Sequence, residues 1–180
     1  TGLVSNTIYY YRFYASNSYG SAWSVPSVSF TTPSAPPSWT NWQYKMKITF
    51  SGYSRPETLN NFPLLIALSS NVNNSGFSYG QFGSTSGWDL RFFDSDESTA
   101  LNYEIEKWDR FGASYVWVKV PAVSGAGDFI WAYWGNTLTS VTSAPAAYTT
   151  NGSTWSGGYA GVWHLSETSG THRDSTANGN

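Results

Sequence analysis

Two glutamates with strand spacing are the first candidates for chemistry in this sequence of 180 residues. Glu104 and Glu106 lie two positions apart, so in a β-strand they share one face at roughly 6 to 7 Å. Carboxylates at that separation can serve glycoside hydrolysis, although the reaction needs them on opposite sides of a sugar. The favoured interpretation is structural, with no enzymatic activity. Arg91 and Lys119 are expected to pair across strands with Asp89, Glu104 and Glu106, forming an ion-pair cluster.

Other catalytic or metal-binding patterns are weak. The sequence has no cysteine and only two histidines, His164 and His172, so a zinc site is not expected. We interpret His164 as a strand residue with a hydrogen-bonded ring. Asp94 and Asp96 have the clustered oxygens that calcium prefers, but ordinary turn chemistry is the favoured explanation. No cofactor is required, and calcium is the one metal left open.

The aromatic side chains give a stronger functional lead. The sequence contains 10 Trp, 13 Tyr and 10 Phe, more than a small sandwich core needs, and rings exposed on a sheet stack on sugars. The candidates for carbohydrate binding are tryptophans beside loops or on mixed polar faces, namely Trp23, Trp39, Trp42, Trp108 and Trp155. In the competing interpretation those residues join domains, and the core contains Trp88, Trp117, Trp131 and Trp134.

Composition narrows the class of protein and its partners. A hydrophobic fraction of 40% with 11% charged residues predicts a folded chain. A net charge of -2 with only 9 Lys plus Arg gives no basic stripe for nucleic acid. No apolar run approaches the roughly 20 residues of a membrane-spanning helix, so no membrane insertion is expected. Abundant Ser, Thr, Asn, Gly, Tyr and Trp are typical of exposed β-sandwiches.

The elements that would position these residues are strands. Alternating side chains over 88–93 and 101–108 flank a polar turn at 94–98, which predicts a β-hairpin with its apolar faces in contact. Residues 62–68 predict a strand buried on both faces, and 69–87 a long functional loop. Further strands are predicted over 7–16, 27–31, 44–51, 113–120 and 128–133. The predicted fold class is all-β, built of β-sandwich or jelly-roll modules.

The first 32 residues resemble the last third of a fibronectin type III domain. The similarity rests on a Tyr-rich strand, a turn at 17–20 and the closing Phe30-Thr31-Thr32. It implies that Tyr9 bonds its hydroxyl back to the backbone and closes a corner. Residues 33–38, PSAPPS, predict a semi-rigid linker and a domain boundary.

Residues 39–147 form the next expected domain, a β-sandwich. Six ordered motifs resemble a bacterial family known as domain of unknown function 2341: WxYK at 42–45, NFPLL at 61–65, DLRF at 89–92, YEIExW at 103–108, VWVKVP at 116–121 and YWGN at 133–136. Members look like parts of large multidomain surface or secreted proteins. The resemblance implies context without a known activity.

Residues 148–180 are expected to begin another module. GVWHLSE at 161–167 and the Asp/Asn/Gly-rich run at 174–180 resemble the opening of a laminin-G or concanavalin A-like lectin domain. That resemblance implies a first strand here and makes calcium ligands of Asp174, Asn178 and Asn180. The modules at both ends would then be incomplete.

These features together predict a structural and adhesive segment of an extracellular, multidomain, bacterial-type surface protein. Open strand edges pair with neighbours, so we expect terminal segments of one copy to complete the sheets of another, and filaments to form by strand addition. The alternative is a carbohydrate-binding region of a secreted polysaccharide-degrading enzyme, with glycans as partners. A hydrolase that uses Glu104 and Glu106 is a third interpretation.

Overall fold

A computed structural model describes residues 2–4, 6–32, 41–136 and 152–180 of the chain. In these residues the regular structure consists of β-strands and short 3-10 turns, which confirms the predicted all-β class. The described segments contain no helix with the length and apolar character that a membrane crossing requires. The chain divides into two compact units, Thr1–Pro37 and Ser38–Asn180. The linker predicted at 33–38 lies outside the described residues.

The described residues of the first unit form four strands in two antiparallel pairs. β1 (Ile8–Tyr11) pairs with β4 (Val28–Thr31), and β2 (Tyr14–Asn17) pairs with β3 (Gly20–Trp23). The sequence predicted one continuous strand over 7–16. The chain instead changes partner between β1 and β2, and alternation of side chains gives no sign of such a change.

The partner change and the corner before it are fixed by side-chain hydrogen bonds. The Phe13 amide donates to the Ser24 hydroxyl at 2.9 Å, and the Ser24 amide donates to the Phe13 carbonyl at 2.8 Å. Upstream, the Val4 amide donates to the Tyr9 hydroxyl at 2.7 Å, and the Tyr9 ring stacks on Phe30. This is the bond expected of a tyrosine corner. The fibronectin-like identity of the unit remains a prediction.

The strands described in the second unit are β5 (Trp42–Thr49), β6 (Leu59–Leu68), β7 (Arg91–Phe93), β8 (Tyr103–Lys107), β9 (Ser114–Val123) and β10 (Phe129–Asn136). In these described residues they form a sandwich of two three-stranded antiparallel sheets, ordered β5-β10-β7 and β6-β9-β8. Side chains from both sheets share one apolar core. On β10, for example, Ile130, Ala132 and Trp134 belong to this core, while Trp131 and Tyr133 alternate with them on the outer face, where Trp131 is half-buried and Tyr133 is buried.

The hairpin predicted around the turn at 94–98 is limited to its base. Phe93 and Ala100 form an isolated antiparallel bridge, flanked by backbone hydrogen bonds of 2.9 Å, but the pairing does not continue into a strand ladder. β7 pairs with β10 and β8 pairs with β9, so the turn crosses from one sheet to the other. The apolar faces do meet, but across the core, where the Phe92 and Tyr103 rings lie 5.2 Å apart and the Tyr103 hydroxyl donates to the Leu90 carbonyl at 2.6 Å. Both arrangements bury the same alternating residues, which is why the sequence pattern did not distinguish them.

Strand β6 is more exposed than its sequence predicted. It lies at the edge of its sheet and alternates buried with accessible residues, and Leu65 is 45% exposed. The expectation of a strand buried on both faces is therefore wrong. Pro63 fits an edge position because it has no amide hydrogen to donate to a further strand.

The predicted functional loop at 69–87 packs into the sandwich. It contains two 3-10 turns, Val72–Asn74 and Tyr79–Gln81. Phe77 and Tyr79 are buried in the core, and the Tyr79 hydroxyl donates to the Leu68 carbonyl at 2.9 Å. The loop therefore contributes core side chains, which explains its length.

Residues 152–180, called here the terminal segment, pack on β8 and β9 within the second unit. The segment consists of turns, including the 3-10 turn Ser153–Trp155, and of one β-bridge between Trp163 and Asp174. The strand implied by the lectin-like resemblance is limited to that bridge.

Candidate functional site

The predicted ion-pair cluster is divided among different partners. Asp89 is fully buried and accepts backbone amide hydrogens from Gly83 at 2.9 Å, Ser84 at 3.1 Å and Gly135 at 3.1 Å. The carboxylate thus joins the end of the 69–87 loop to β10. Asp89 therefore accepts hydrogen bonds from backbone amides, in place of the predicted ion pair with a cation.

The two cations of the predicted cluster also have other partners. Arg91 Nη1 donates to the carbonyls of Trp88 and Leu90 at 2.6 and 2.7 Å. Lys119 Nζ donates to the Ser156 hydroxyl at 2.6 Å. In the described residues neither cation forms a salt bridge with the predicted carboxylates. The predicted pairing of Arg91 and Lys119 with Asp89, Glu104 and Glu106 is therefore wrong.

The two glutamates of β8 instead meet the terminal segment. Glu104 accepts the Trp155 indole hydrogen at 2.6 Å and the Ser175 hydroxyl hydrogen at 2.9 Å. Glu106 accepts the Trp117 indole hydrogen at 2.5 Å. Each carboxylate is therefore held by a tryptophan, one from the terminal segment and one from β9.

His164 lies between these two carboxylates. Its Nε2 is 3.6 Å from Glu104 Oε1, and its Nδ1 is 3.5 Å from Glu106 Oε2. Among the described residues, the buried Nε2 atom has no hydrogen-bond partner, so this nitrogen lacks the hydrogen bond expected from the sequence. Glu104, Glu106, Trp117, Trp155 and His164 are called here the His164 cluster.

The His164 cluster is built to hold the terminal segment against the sheet. Glu104 is buried except for 12% of its side chain, and the Trp117 and Trp155 rings lie 5.2 Å apart. A glycosidase pair would leave room for a sugar between the carboxylates. Here the imidazole occupies that position, an arrangement that favours a structural role.

The predicted calcium ligands are engaged in turns. Asp96 accepts the amide hydrogens of Ser98 and Thr99 and the Thr99 hydroxyl hydrogen; these bonds, led by the Thr99 amide, hold its pKa well below the ordinary value. Asp94 accepts the Ser95 amide hydrogen at 2.7 Å. Both acids therefore stabilise the crossing between β7 and β8.

The second set of calcium candidates is used in the same manner. Asp174 is buried and accepts hydrogens from the amides of Val162, Thr176 and Asn180. The Asn178 and Asn180 side-chain amides donate to the Ala160 carbonyl at 2.8 and 2.6 Å. Within the part of the chain that the structure describes, no group of three or more His, Asp or Glu side chains is placed to hold a metal ion.

The predicted carbohydrate-binding tryptophans occupy very different environments. Trp23 is 54% exposed and lies beneath the Arg12 guanidinium, whereas Trp155 is buried. Trp42 and Trp108 are half-buried, and the Trp108 ring packs against Tyr79 and Phe82 of the loop. Trp39 lies outside the described residues. Trp108 and Trp155 are thus packing residues, and of the described candidates Trp23 and Trp42 remain accessible.

The outer face of the β5-β10-β7 sheet combines aromatic rings with cations, and we call it the aromatic–basic face. Phe129, Trp131 and Tyr133 alternate along β10, and the register places Lys47 opposite Trp131 and Lys45 opposite Tyr133. Trp131 was predicted as a core residue, but it is half-buried on this outer face. The alternation of residues along β10 places the three rings on one face of the strand. It does not indicate whether that face points to the core or to the outside.

Tyr133 and Glu97 fix one end of this face. Burial, followed by its hydrogen bond to Glu97, raises the pKa of the Tyr133 phenol well above the ordinary value. The same bond, followed by Lys45, lowers the pKa of Glu97. Glu97 and Lys45 also form a salt bridge of 3.1 Å. A turn residue of the sheet crossing is thereby tied to both β5 and β10.

Comparison with known proteins identifies one family. The model of a family described as Domain of unknown function (DUF2341) matches residues 86–177, which confirms the resemblance assigned to the middle of the chain. The match begins inside the predicted span of 39–147, so the motifs at 42–45 and 61–65 lie outside it, and it extends past residue 147 to include the whole His164 cluster. No curated protein and no solved structure gives a match. The fibronectin-like and lectin-like resemblances at the two ends remain predictions.

Proposed function

This chain belongs to the DUF2341 family, and from that premise we propose that it is a non-catalytic structural and adhesive segment of an extracellular, multidomain, bacterial-type surface protein. We further propose that copies of the chain assemble through strand addition in the first unit. The supporting observation is the exposure of apolar side chains on every strand of that unit.

The described residues of the first unit include none that is buried. In that described part both sheets have two strands, so each strand has an edge without a ladder partner there, and isolated two-stranded pairs are marginally stable in water. The large side chains left exposed include Ile8 at 58%, Tyr10 at 70%, Phe13 at 71%, Tyr14 at 54% and Val28 at 49%. Further strands packed on this unit would bury them.

A second copy of the chain suits these faces because they are nearly uncharged. In residues 1–32 the only charged side chain is Arg12, and its guanidinium lies over the Trp23 ring, 5.3 Å from the centroid. Two copies can therefore approach without like-charge repulsion. The free edges then add backbone hydrogen bonds between copies.

The test is the concentration dependence of assembly, measured by sedimentation velocity and electron microscopy. The unsubstituted chain is expected to form oligomers or filaments. Tyr10→Lys places a charge on an exposed strand position and should raise the concentration needed for assembly by about tenfold or more, which is about 1.4 kcal/mol. Tyr19→Lys is the matched control, because Tyr19 is 98% exposed in the turn between β2 and β3.

Two outcomes would reject self-assembly. One is a chain that remains monomeric at all concentrations, whether its first unit is ordered or not. The other is an equal response to Tyr10→Lys and Tyr19→Lys, which would mean that added charge acts without regard to the strands.

Carbohydrate binding is a second candidate function, and the aromatic–basic face favours it. Trp131 and Phe129 provide rings that can stack on sugars, and the neighbouring lysines provide donors for polar groups. The test is retention of the chain on polysaccharide gels, compared with a Trp131→Ala variant. Equal retention of the two proteins would contradict this role for the face.

A further inference from the structure

We infer that the aromatic–basic face binds polysaccharides whose sugars have carboxylate groups. This inference rests on the proposed carbohydrate-binding function and assigns a chemical class to its ligand. The observations are the order of rings and cations on the sheet, the balance of charge around them, and the spacing of the lysines along β5.

The rings place the cations without neutralising them. Lys45 Nζ lies 4.3 Å from the Trp131 ring centroid, and Lys47 Nζ lies 3.8 Å from the Phe129 ring centroid. Cation–π contacts of this length restrict a lysine side chain without using its ammonium hydrogens. Lys45 also donates to both carboxylate oxygens of Glu97, at 3.2 and 3.1 Å, so Lys47 is the less engaged of the two lysines. The two ammonium groups are therefore held on the outer face.

A third cation extends the face on the other side of β10. Arg91 of β7 lies opposite Tyr133, and its guanidinium is 5.4 Å from the Trp42 ring centroid. Only Nη1 of Arg91 is used by the carbonyls of its own segment. The remaining nitrogens have hydrogens that suit a carboxylate.

The charge on this face is opposite in sign to that of the whole chain. Among the described residues, the one salt bridge made by Lys45, Lys47 or Arg91 is that of Lys45 with Glu97, whereas the complete sequence has a net charge of -2. In the described parts of the chain, Lys47 and Arg91 form no salt bridge with a carboxylate. An anionic ligand is therefore favoured here in a chain that repels anions overall.

The combination of rings and cations suits acidic sugars better than other polyanions. A pyranose ring presents apolar C–H groups to an aromatic face and places its carboxylate at the rim, within reach of a lysine. Lys45 and Lys47 lie two residues apart on one strand, roughly 6 to 7 Å, so they can contact successive acidic groups of a polymer. Nucleic acid fits less well, because tracking a phosphate backbone takes about 6 to 10 basic contacts.

The experiment compares polygalacturonate with the same polymer after full methyl esterification. Binding to the 180-residue chain is measured by affinity electrophoresis and isothermal titration calorimetry. We expect the acidic polymer to bind at least about tenfold more tightly than its neutral ester, with an affinity that falls as salt rises. Lys47→Gln should weaken that binding by about threefold to tenfold.

A matched control separates a local effect from a change in net charge. Lys107→Gln removes the same charge from β8, in the other sheet, where Lys107 pairs with Asp109 at 3.0 Å. This variant should bind polygalacturonate as the unsubstituted chain does. Equal losses in Lys47→Gln and Lys107→Gln would overturn the assignment of the site to this face.

The two polymers distinguish failure of the inference from failure of the underlying function. Equal binding of the acidic and neutral polymers would overturn the preference for carboxylates and leave carbohydrate binding in place. Absence of binding to both would overturn both proposals. Equal binding of polyaspartate, with no effect of Trp131→Ala, would replace the glycan with an acidic polypeptide and would also overturn the inference.

Discussion

Substitution of Asp89 tests whether this buried carboxylate holds the sandwich together through backbone amides. Both oxygens are used, with Oδ1 accepting from Ser84 and Oδ2 from Gly83 and Gly135. In Asp89→Asn one oxygen becomes an amide nitrogen, which donates and therefore faces another donor. The best orientation of the asparagine keeps the two bonds at the Oδ2 position and loses the one to Ser84.

The expected loss of stability follows from this count of bonds. A hydrogen bond to a charged group contributes about 1.5–3 kcal/mol, and a buried amide left without an acceptor costs about 1–3 kcal/mol. Asp89→Asn should therefore lower the free energy of unfolding by about 2–3 kcal/mol. Asp89→Ala removes all three acceptors and should cost about 3–6 kcal/mol, a large part of the 5–15 kcal/mol typical of a domain.

Urea unfolding followed by tryptophan fluorescence measures these losses. Asp128→Asn is the control, because Asp128 also accepts three hydrogens, from the Ser124 amide and hydroxyl and the Gly125 amide. All three reach one oxygen near solvent, so an asparagine can keep them and the midpoint should barely move. Equal midpoint shifts in Asp89→Asn and Asp128→Asn would refute the assigned role of Asp89.

Three further outcomes are expected. Glu97→Gln removes the carboxylate that helps to raise the pKa of Tyr133, so the ultraviolet difference titration of this variant should show one phenol ionising at lower pH. Trp155→Phe removes the indole N–H that donates to the glutamate of β8; limited proteolysis should then release the terminal segment sooner, whereas unchanged cleavage would contradict its attachment there. The Arg173 amide, with further hydrogen bonds, lowers the pKa of Glu167 to about 2 from its ordinary value of 4.5. The stabilisation from this group is complete above 4.5 and is lost as the pH falls toward 2, and an NMR titration of the Glu167 carboxyl measures that window.

Much of the strand content was predictable because burial on one face leaves a period of two in the sequence. The segments around 44–51, 113–120 and 128–133 all became strands with shifted ends. Pairing was less predictable. The turn at 94–98 joins two alternating segments whichever sheets they enter, so local pattern did not reveal that β7 and β8 lie in different sheets.

The candidate sites show the same division between local and long-range information. The spacing of Glu104 and Glu106 correctly indicated a shared face, since both carboxylates approach one imidazole. Their partner, His164, is some sixty residues away and lies in a segment without regular strands. No periodicity in the sequence connects positions so far apart. The aromatic residues near the glutamates and near His164 were the one sequence feature that could have suggested the contact.

The terminal segment is attached to the sheets in a way that permits local opening. Its contacts with β8 and β9 are made by side chains, such as Trp155 with Glu104 and Ser156 with Lys119, and no strand ladder joins them. Segments of this kind can exchange their amide hydrogens without global unfolding. Release of the segment would uncover Trp117 and two glutamates while both sheets stay intact, so hydrogen exchange should show residues 152–180 as a cooperative unit less protected than β9.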